Sequence, residues 1–488
     1  MGLKDPLIRI AAALALLAVS APRGEAQSEG VLRITRDSTG TNGVRRIEFS
    51  VSAEEGSDVR CAVELPPKAR WNGVLWGLGN GGSGGGIPGL SGFSSRGDAV
   101  VSCDLGTWRY TQGPEKGARW PEPVMRDFCY RSTHLMTVFG RRLVERQYGR
   151  KPDLRVFVGA STGGRQALME VTRYPEDYDA VCALYDDANM APTDASAQLL
   201  HQSLHDERTG ELLFTERQLK LVSDAAVEYM APREPKPYAG RTLHDPHLSE
   251  EEIDGFLDLA AKKDPALADP ALRARLRRLY TGVTIGGRRV FHGHPCSAPL
   301  ACRTGRSAND LLANFYREHP GHPKWISWRE FDEFESRRSG ACNSASTDLD
   351  RFFAHGGRLV LVAGMDDLVC PPANIIGYYE RLAARYGGFD ALAGRVRLFC
   401  AYGRGHGGGR FEGGDNWQAY GDAALAWRRD GTAPESLPYR WTSENLTLPL
   451  PPYPKYAYQD DKGRWQTGRL PTGRIAQPHP DYCRTGEE

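Results

Sequence analysis

The segment Gly159-Ala160-Ser161-Thr162-Gly163-Gly164-Arg165-Gln166 lies between the apolar run Leu154 to Val158 and the helix-like stretch Ala167 to Arg173. That order reads as strand, sharp turn, helix, with a serine at the apex. Glycines two residues before and two after the serine let the backbone turn without a Cβ clash, so the alcohol stands clear of a sheet. The N–H of Thr162 then falls at a helix N-terminus, where an unpaired donor and the helix dipole suit a developing oxyanion. The turn points to acyl-transfer chemistry.

Short β-rich runs alternate with turns and helices around this turn: Val59 to Leu65, Gly73 to Leu78, Ala99 to Asp104, Val156 to Val158 and Ala180 to Leu184. A long amphipathic stretch, Met125 to Tyr148, precedes the serine. Such alternation predicts an α/β fold with a mostly parallel sheet and helices on its faces. The pattern returns in Arg358 to Ala363 and Arg395 to Ala401, with helical Asn374 to Arg385 between them, as the last strands of the same sheet. Between about Ala191 and Thr347 the chain turns helical, charged and loop-rich, with helices expected at Thr215 to Ala231, Ser249 to Lys262, Asp269 to Tyr280 and Ser307 to Arg317. At 488 residues the chain exceeds a usual single domain, which fits a core carrying one large insertion. Residues 27–190 and 348–488 are therefore expected to form the catalytic domain, and 191–347 a mainly helical lid. The Arg-rich stretch Arg273 to Arg278 reads as a solvated helix face. Past Thr432 the sequence is Pro-rich, with Pro449, Pro451, Pro452 and Pro454, and is expected to wrap the domain as an extended tail.

Lys4 and Arg9 ahead of Ile10 to Val19, then Gly24-Glu25-Ala26, fit a secretory signal spanning residues 1–26. The expected location is secreted or periplasmic. No later segment offers about 18 uninterrupted apolar residues, so no membrane partner is expected. Acidic and basic residues nearly cancel, at 61 against 62, and nothing in that balance favours nucleic acid. Ten cysteines would meet an oxidising environment after export, so some disulfides are expected. Cys296 and Cys302 are the easiest local pair, or two separate thiols in a loop. No CxxC pair suggests zinc.

A serine nucleophile needs a base to take its proton, and that base needs a carboxylate to hold its tautomer. In a hydrolase sheet the chain order is serine, acid, histidine, each on a loop after a strand. Arg358 to Ala363 ends in Gly364-Met365-Asp366-Asp367, and Arg395 to Ala401 is followed by Gly403-Arg404-Gly405-His406-Gly407-Gly408-Gly409. Ser161, Asp367 and His406 are the catalytic set this order selects. Asp366 is a lesser alternative, and Asp186 with Asp187 is a rival that reads more readily as loop capping. The pairs His292 with His294 and His319 with His322 have metal-like spacing but no third ligand nearby, and read as ordinary histidines. His134, inside a helix, reads as a packed one. The second oxyanion donor is expected from Gly79-Asn80-Gly81-Gly82-Ser83-Gly84-Gly85-Gly86, so Gly81 and Gly82 join Thr162 as oxyanion-hole candidates. Gly77, Gly79 and Gly82 also spell G-x-G-x-x-G, but Gly84-Gly85-Gly86-Ile87-Pro88-Gly89 cannot open the helix a dinucleotide site needs.

These residues together resemble the tannase and feruloyl esterase family, which includes mono(2-hydroxyethyl) terephthalate hydrolase. The likeness is carried by Trp71-Asn72-Gly73 with Gly79 to Gly82, by Ser161 to Gln166 with Arg173-Tyr174-Pro175-Glu176-Asp177-Tyr178-Asp179, and by Gly364 to Asp367 with Pro371-Pro372 and Tyr378-Tyr379. Gly405-His406, Trp427, Gly431 and Ala433-Pro434 extend it. The resemblance implies an α/β-hydrolase fold with a lid inserted after the strand that follows the serine. It implies Ser161 as nucleophile, Asp367 as acid and His406 as base, with no cofactor and small-molecule esters of aromatic acids as substrates. Esters of aliphatic acids or polyester fragments are the alternative, with a peptidase or a non-catalytic phenolic- or carbohydrate-binding relative as further readings. Family members usually bridge a cysteine before the serine to one after the histidine; here those positions are Ala160 and Gly407. A Cys370–Cys400 disulfide is the expected substitute. The family's acidic calcium loop has no counterpart in Val222 to Arg241, so no metal is expected.

Overall fold

The computed structural model describes residues 30–186, 188–303, 325–411 and 417–485. The expected signal at 1–26, the helix Ser307 to Arg317, Asp187, His319 and His322 lie outside them.

Among the described residues, nine strands form one sheet in the order β1-β2-β3-β5-β4-β6-β7-β8-β9. They are β1 Val31–Thr39, β2 Arg45–Ser52, β3 Val59–Leu65, β4 Val74–Leu78, β5 Ala99–Cys103, β6 Leu154–Ala160, β7 Ala180–Leu184, β8 Arg358–Gly364 and β9 Val396–Ala401. From β5 to β9 every neighbour is parallel, whereas β1, β2 and β3 attach antiparallel to β5. The sequences follow that division. β6, β7 and β8 are near-continuous apolar runs because helices cover both faces, while β2 alternates buried Ile47, Phe49 and Val51 with half-buried polar residues, the mark of a sheet covered on one face.

The helices on this sheet include α1 Ser132–Tyr148 and α2 Thr162–Arg173. The stretch expected as one helix from Met125 is broken by a π-helical turn, Asp127–Arg131. Strand order reverses about β4: the chain leaves it for β5 on one side and returns to β6 on the other. The carboxyl ends of β4 and β6 therefore flank a crevice, the place where ligands bind in open α/β sheets. The glycine loop follows β4 there, and Ser161 follows β6.

Between β7 and β8 the chain leaves the sheet. It builds α3 Met190–Leu204, α4 Glu216–Met230, α5 Glu250–Lys263, α6 Pro270–Thr281 and α7 Trp328–Cys342. This insert has its own apolar core, including Leu199, Leu219, Phe256, Leu279 and Phe331, distinct from the core under the sheet. Thr215 with Gln218 and Ser249 with Glu252 close reciprocal capping boxes at α4 and α5, which explains why both helix starts were legible. The arginines of α6 are occupied inside the insert: Arg277 pairs with Asp254 and Glu250, Arg273 with Asp258, and Arg275 donates to the carbonyls of Gln202 and His205. Returning to the sheet, α8 Pro372–Arg385 joins β8 to β9 and α9 Trp417–Asp430 follows the histidine loop.

The Pro-rich tail is more regular than expected. It folds as two antiparallel hairpins, β10 Leu437–Trp441 with β11 Leu446–Leu450, and β12 Lys455–Gln459 with β13 Trp465–Arg469. Trp441 Nε1 donates to the Tyr402 carbonyl at 2.8 Å, and Tyr453 N–H to that of Leu398 at 2.7 Å, so the tail braces β9 and the loop beyond it. Among the described residues, no helix is long and apolar enough to cross a membrane.

Candidate active site

Ser161 sits at φ 59° and ψ −124°, a backbone region that costs a non-glycine residue about 1–3 kcal/mol. Its surroundings hold it there. The Ser161 N–H donates to the carbonyls of Leu184 and Tyr185 at 2.9 and 3.1 Å. A Cβ on Gly159 would stand 2.4 Å from the Gly163 carbonyl oxygen, and one on Gly163 would stand 2.9 Å from that of Asn80. Both glycines of the turn are thus required by close backbone approach.

Behind the serine, α2 is buried from Thr162 to Val171. Arg165, fully buried, donates to the carbonyls of Cys129 and Phe128 at 2.7 and 3.2 Å. Those carbonyls belong to the π-helical turn, whose irregular backbone leaves acceptors for a side chain to satisfy. A disulfide joins the same turn, through Cys129, to Cys342 of α7. The expected Cys370–Cys400 tie does not form, and Cys296 follows the separate-thiol reading, since none of these three cysteines is disulfide-bonded. Sequence spacing had no means of finding a bridge between residues 213 positions apart.

His406 is presented by a minimal hairpin. Arg404-Gly405 pairs antiparallel with Gly408-Gly409, leaving His406-Gly407 as the connecting pair. Gly407 has φ +73°, a left-handed conformation that disfavours the cysteine usual in the family. His406 Nε2 lies 3.0 Å from Ser161 Oγ, and Nδ1 lies 2.7 Å from Asp367 Oδ2. Asp367 is fully buried, and its Oδ1 accepts the N–H groups of Val369 and Cys370 at 2.7 and 2.9 Å. An ionised carboxylate only accepts, which assigns the imidazole proton to Nδ1 and turns the Nε2 lone pair toward the serine hydroxyl. The three residues selected from the sequence therefore stand in one hydrogen-bonded chain.

The rival acids are elsewhere. Asp186 Oδ1 accepts from the Ala188 N–H at 3.0 Å, the loop-capping arrangement. Asp366 is buried and faces the insert, accepting from the hydroxyls of Ser297 at 2.5 Å and Thr242 at 3.3 Å; burial pushes its carboxyl upward. Arg410, four residues past His406, adds a second tie to the insert. It donates to the carbonyls of Ser297 and Ser223 and pairs with Asp224 at 3.0 Å. Nothing in the sequence singled out Arg410, because its partners are brought together only by the folded insert.

The glycine loop meets the serine turn backbone to backbone: a Cβ on Gly79 would lie 2.6 Å from Gly163 Cα. Thr162 Oγ1 donates to the Gly82 carbonyl at 2.7 Å. Asn80 N–H donates to Gln166 Oε1 at 2.8 Å, and Gln166 Nε2 to Thr133 Oγ1 at 2.7 Å. The first helix after this loop is a single turn at Ser91–Ser94, so no helix opens at Gly82 as a dinucleotide fingerprint demands.

Three of the other histidines weighed, His134, His292 and His294, have structural contacts. His134 Nδ1 lies 2.6 Å from Asp177 and its ring stacks on Tyr174. His294 Nε2 meets the Ser196 carbonyl at 2.9 Å, and His292 Nδ1 accepts the Ala476 N–H at 3.0 Å. Burial pushes the latter two down, to about 4 and about 3. Among the described residues one trio, Asp367, Cys370 and His406, brings three potential metal-ligand atoms within 4.8 Å of one another, but two of them are already joined by the bond described above.

A tannase and feruloyl esterase family model matches residues 43–231 and 327–468, two segments that contain Ser161, Asp367 and His406. The chain belongs to the tannase and feruloyl esterase family. It is a carboxylic ester hydrolase with an α/β-hydrolase fold. The interval between the matched segments, residues 232–326, falls within the insert. A mono(2-hydroxyethyl) terephthalate hydrolase of Piscinibacter sakaiensis is 23% identical, covering 83% of this chain and 80% of that one. A probable feruloyl esterase of Arthroderma benhamiae is 25% identical, covering 80% and 77%. The crystal structure of feruloyl esterase B from Aspergillus oryzae superposes with a TM-score of 0.74 at 19% identity, covering 88% of this chain and 91% of that one.

Proposed function

We propose that this family member is an exported serine esterase that cleaves esters of aromatic carboxylic acids through an acyl-enzyme. The observation that carries the reading is the chain of contacts from Ser161 Oγ through His406 to the buried Asp367. His406 Nε2 takes the serine proton as Oγ attacks the ester carbonyl, and the Nε2–H then protonates the departing alcohol. Water, giving its proton to the same nitrogen, attacks the acyl-enzyme; the acid leaves and the proton returns to Ser161. Asp367 keeps Nδ1 protonated and stabilises the imidazolium.

For the oxyanion, Thr162 N–H is a first-turn donor of α2 without an intrahelical acceptor. The adjacent glycine loop, held by the Thr162 hydroxyl at Gly82, would supply the second donor from Gly81 or Gly82. Support for aromatic acyl groups comes from the relatives, a feruloyl esterase and a terephthalate hydrolase by name. Support for export comes from the basic and apolar N-terminal pattern and the Cys129–Cys342 disulfide, a bond that persists in oxidising compartments. Residues 191–347 would act as a lid over the crevice, docked through Asp366 and Arg410.

The test is turnover of methyl ferulate, methyl gallate, mono(2-hydroxyethyl) terephthalate and p-nitrophenyl butyrate by the purified protein and by Ser161→Ala. Aromatic-ester hydrolysis abolished by the substitution is expected. Hydrolysis of the butyrate alone would contradict the aromatic assignment.

A further inference from the structure

The glycine loop has a second face. Where its end, Gly85 to Ile87, overhangs the antiparallel edge of the sheet, it roofs a cavity of about 590 Å³, a size typical of small-molecule sites. The floor is a polar row running across four neighbouring chain segments. Arg33 of β1 is in register with Ser50 of β2, Ser50 with Arg60 of β3, and the Asp104 N–H, just past β5, bonds to the Arg60 carbonyl. Ser50 is an outward position of β2, which alternates with the buried Ile47, Phe49 and Val51. Trp108 closes the wall, with the Arg60 guanidinium 3.5 Å from its ring centre.

Asp104 is the residue lining this cavity whose hydrogen bonding the fold leaves incomplete. It is 1% exposed. Its Oδ1 accepts the N–H groups of Arg60 and Gly106 at 3.0 and 2.7 Å, but its buried Oδ2 has no hydrogen-bond partner. A buried carboxylate oxygen left unmatched carries an unpaid desolvation cost, and that cost is recovered when a ligand hydroxyl donates to it. Burial pushes the carboxyl up to about 7.

Charge narrows the occupant. The cavity is bordered by Glu48, Asp58 and Asp104 against Arg33 and Arg60, and Glu48 is already paired with Arg46 at 3.0 Å. Asp58 and Asp104 then face Arg33 and Arg60, two acids against two bases, so no single sign dominates the lining. A mixed row of donors and acceptors beside the stacked Arg60 and Trp108 side chains suits a ring that carries hydroxyls on its edge.

We propose that this cavity is a second ligand site, separate from Ser161, that binds a neutral polyhydroxylated ring, a sugar unit, through Asp104, Ser50 and the Trp108 indole. The roof links it mechanically to the crevice. Asn80 Nδ2 donates to the carbonyls of Gly86 and Cys103, both at 2.8 Å, and Gly85 N–H to that of Asp104 at 2.8 Å, so one loop forms the roof of this cavity at one end and touches the serine turn at the other.

The site does not depend on the reaction at Ser161, and its test is one of binding. Intrinsic fluorescence and saturation-transfer NMR titrations of the full protein with xylotriose, cellotriose and maltotriose are expected to show saturable binding of at least one. That binding is expected to persist after Ser161 is blocked with a fluorophosphonate, or in Ser161→Ala if the reagent does not label. Asp104→Asn, which keeps the Oδ1 acceptor and turns the other position into a donor, and Trp108→Ala are each expected to weaken it tenfold or more. Trp108→Ala decides alone if Asp104→Asn fails to fold. Absence of saturable binding by all three sugars, loss on blocking Ser161, an unchanged affinity in a folded variant, or displacement by choline or inorganic phosphate at lower concentration than the sugar would each overturn the proposal.

Discussion

Asp366 and Asp367 are consecutive residues on one turn, yet their carboxylates hold different parts of the molecule. Asp367 reaches His406 Nδ1 at 2.7 Å, while Asp366 takes the hydroxyls of Ser297 and Thr242 from the insert. Asp367→Asn is therefore expected to lower kcat on the order of 10⁴-fold with little change in KM, by favouring the wrong imidazole tautomer. Asp366→Ala strands two buried hydroxyls instead, and is expected to cost about 1–3 kcal/mol of stability with kcat reduced far less. Steady-state kinetics paired with thermal melts separates the two roles.

The glycine loop offers a steric contrast. Gly79→Ala would drive a Cβ to 2.6 Å from Gly163 Cα, whereas a Cβ on Gly81 meets nothing within 4 Å. Gly79→Ala is expected to separate loop and serine turn and cut kcat by about 10² or more, in line with ångström-scale misplacement of reacting groups. Gly81→Ala is expected to fold normally and retain activity within about tenfold, since it keeps its N–H. Activity and fluorophosphonate labelling rates check both.

The Cys129–Cys342 bridge joins residues 213 positions apart, and the loop it closes contains the serine turn and helices α3 to α7 of the insert. Its removal in Cys129→Ser/Cys342→Ser is expected to destabilise the protein by about 2–5 kcal/mol. Urea titration of oxidised, reduced and double-variant protein measures it.

Asp104 makes stability depend on pH in a defined direction. Its carboxyl rises from 3.8 to about 7 in the folded chain, chiefly by burial, with Arg60 and Asp58 as charged neighbours. Between those values the folded state holds a proton that the unfolded state has lost, so this group's contribution to stability declines as pH rises from about 4 to about 7 and is flat above. At about 1.4 kcal/mol per unit the full effect is up to about 4 kcal/mol. Asp104→Asn removes that dependence, so its melting temperature relative to the unsubstituted protein is expected to be higher at pH 8 than at pH 5. A constant difference across that range would contradict the assignment.

Much of this architecture was legible because local chemistry dictates it. The serine turn needs glycines where backbones touch, the parallel strands need unbroken apolar runs, and the histidine hairpin needs Gly407. The residues that lock the site together were not legible, for the converse reason. Arg165 satisfies carbonyls of a π-helical turn that no periodicity announces, Gln166 bridges two segments remote in sequence, and Arg410 grips an insert whose surface exists only after folding. The Cys129–Cys342 pairing belongs to the same class, and so do the tail hairpins, where Pro449 and Pro438 sit opposite each other in a two-stranded ribbon that tolerates proline because it has free edges.

In the proposed mechanism Ser161 carries the acyl group. Rapid-quench mass spectrometry during methyl ferulate turnover tests it most directly. A feruloyl adduct on the peptide containing Ser161, formed in a burst and absent from Ser161→Ala, is the expected result; turnover that persists in Ser161→Ala, or an adduct mapped to another residue, would contradict it.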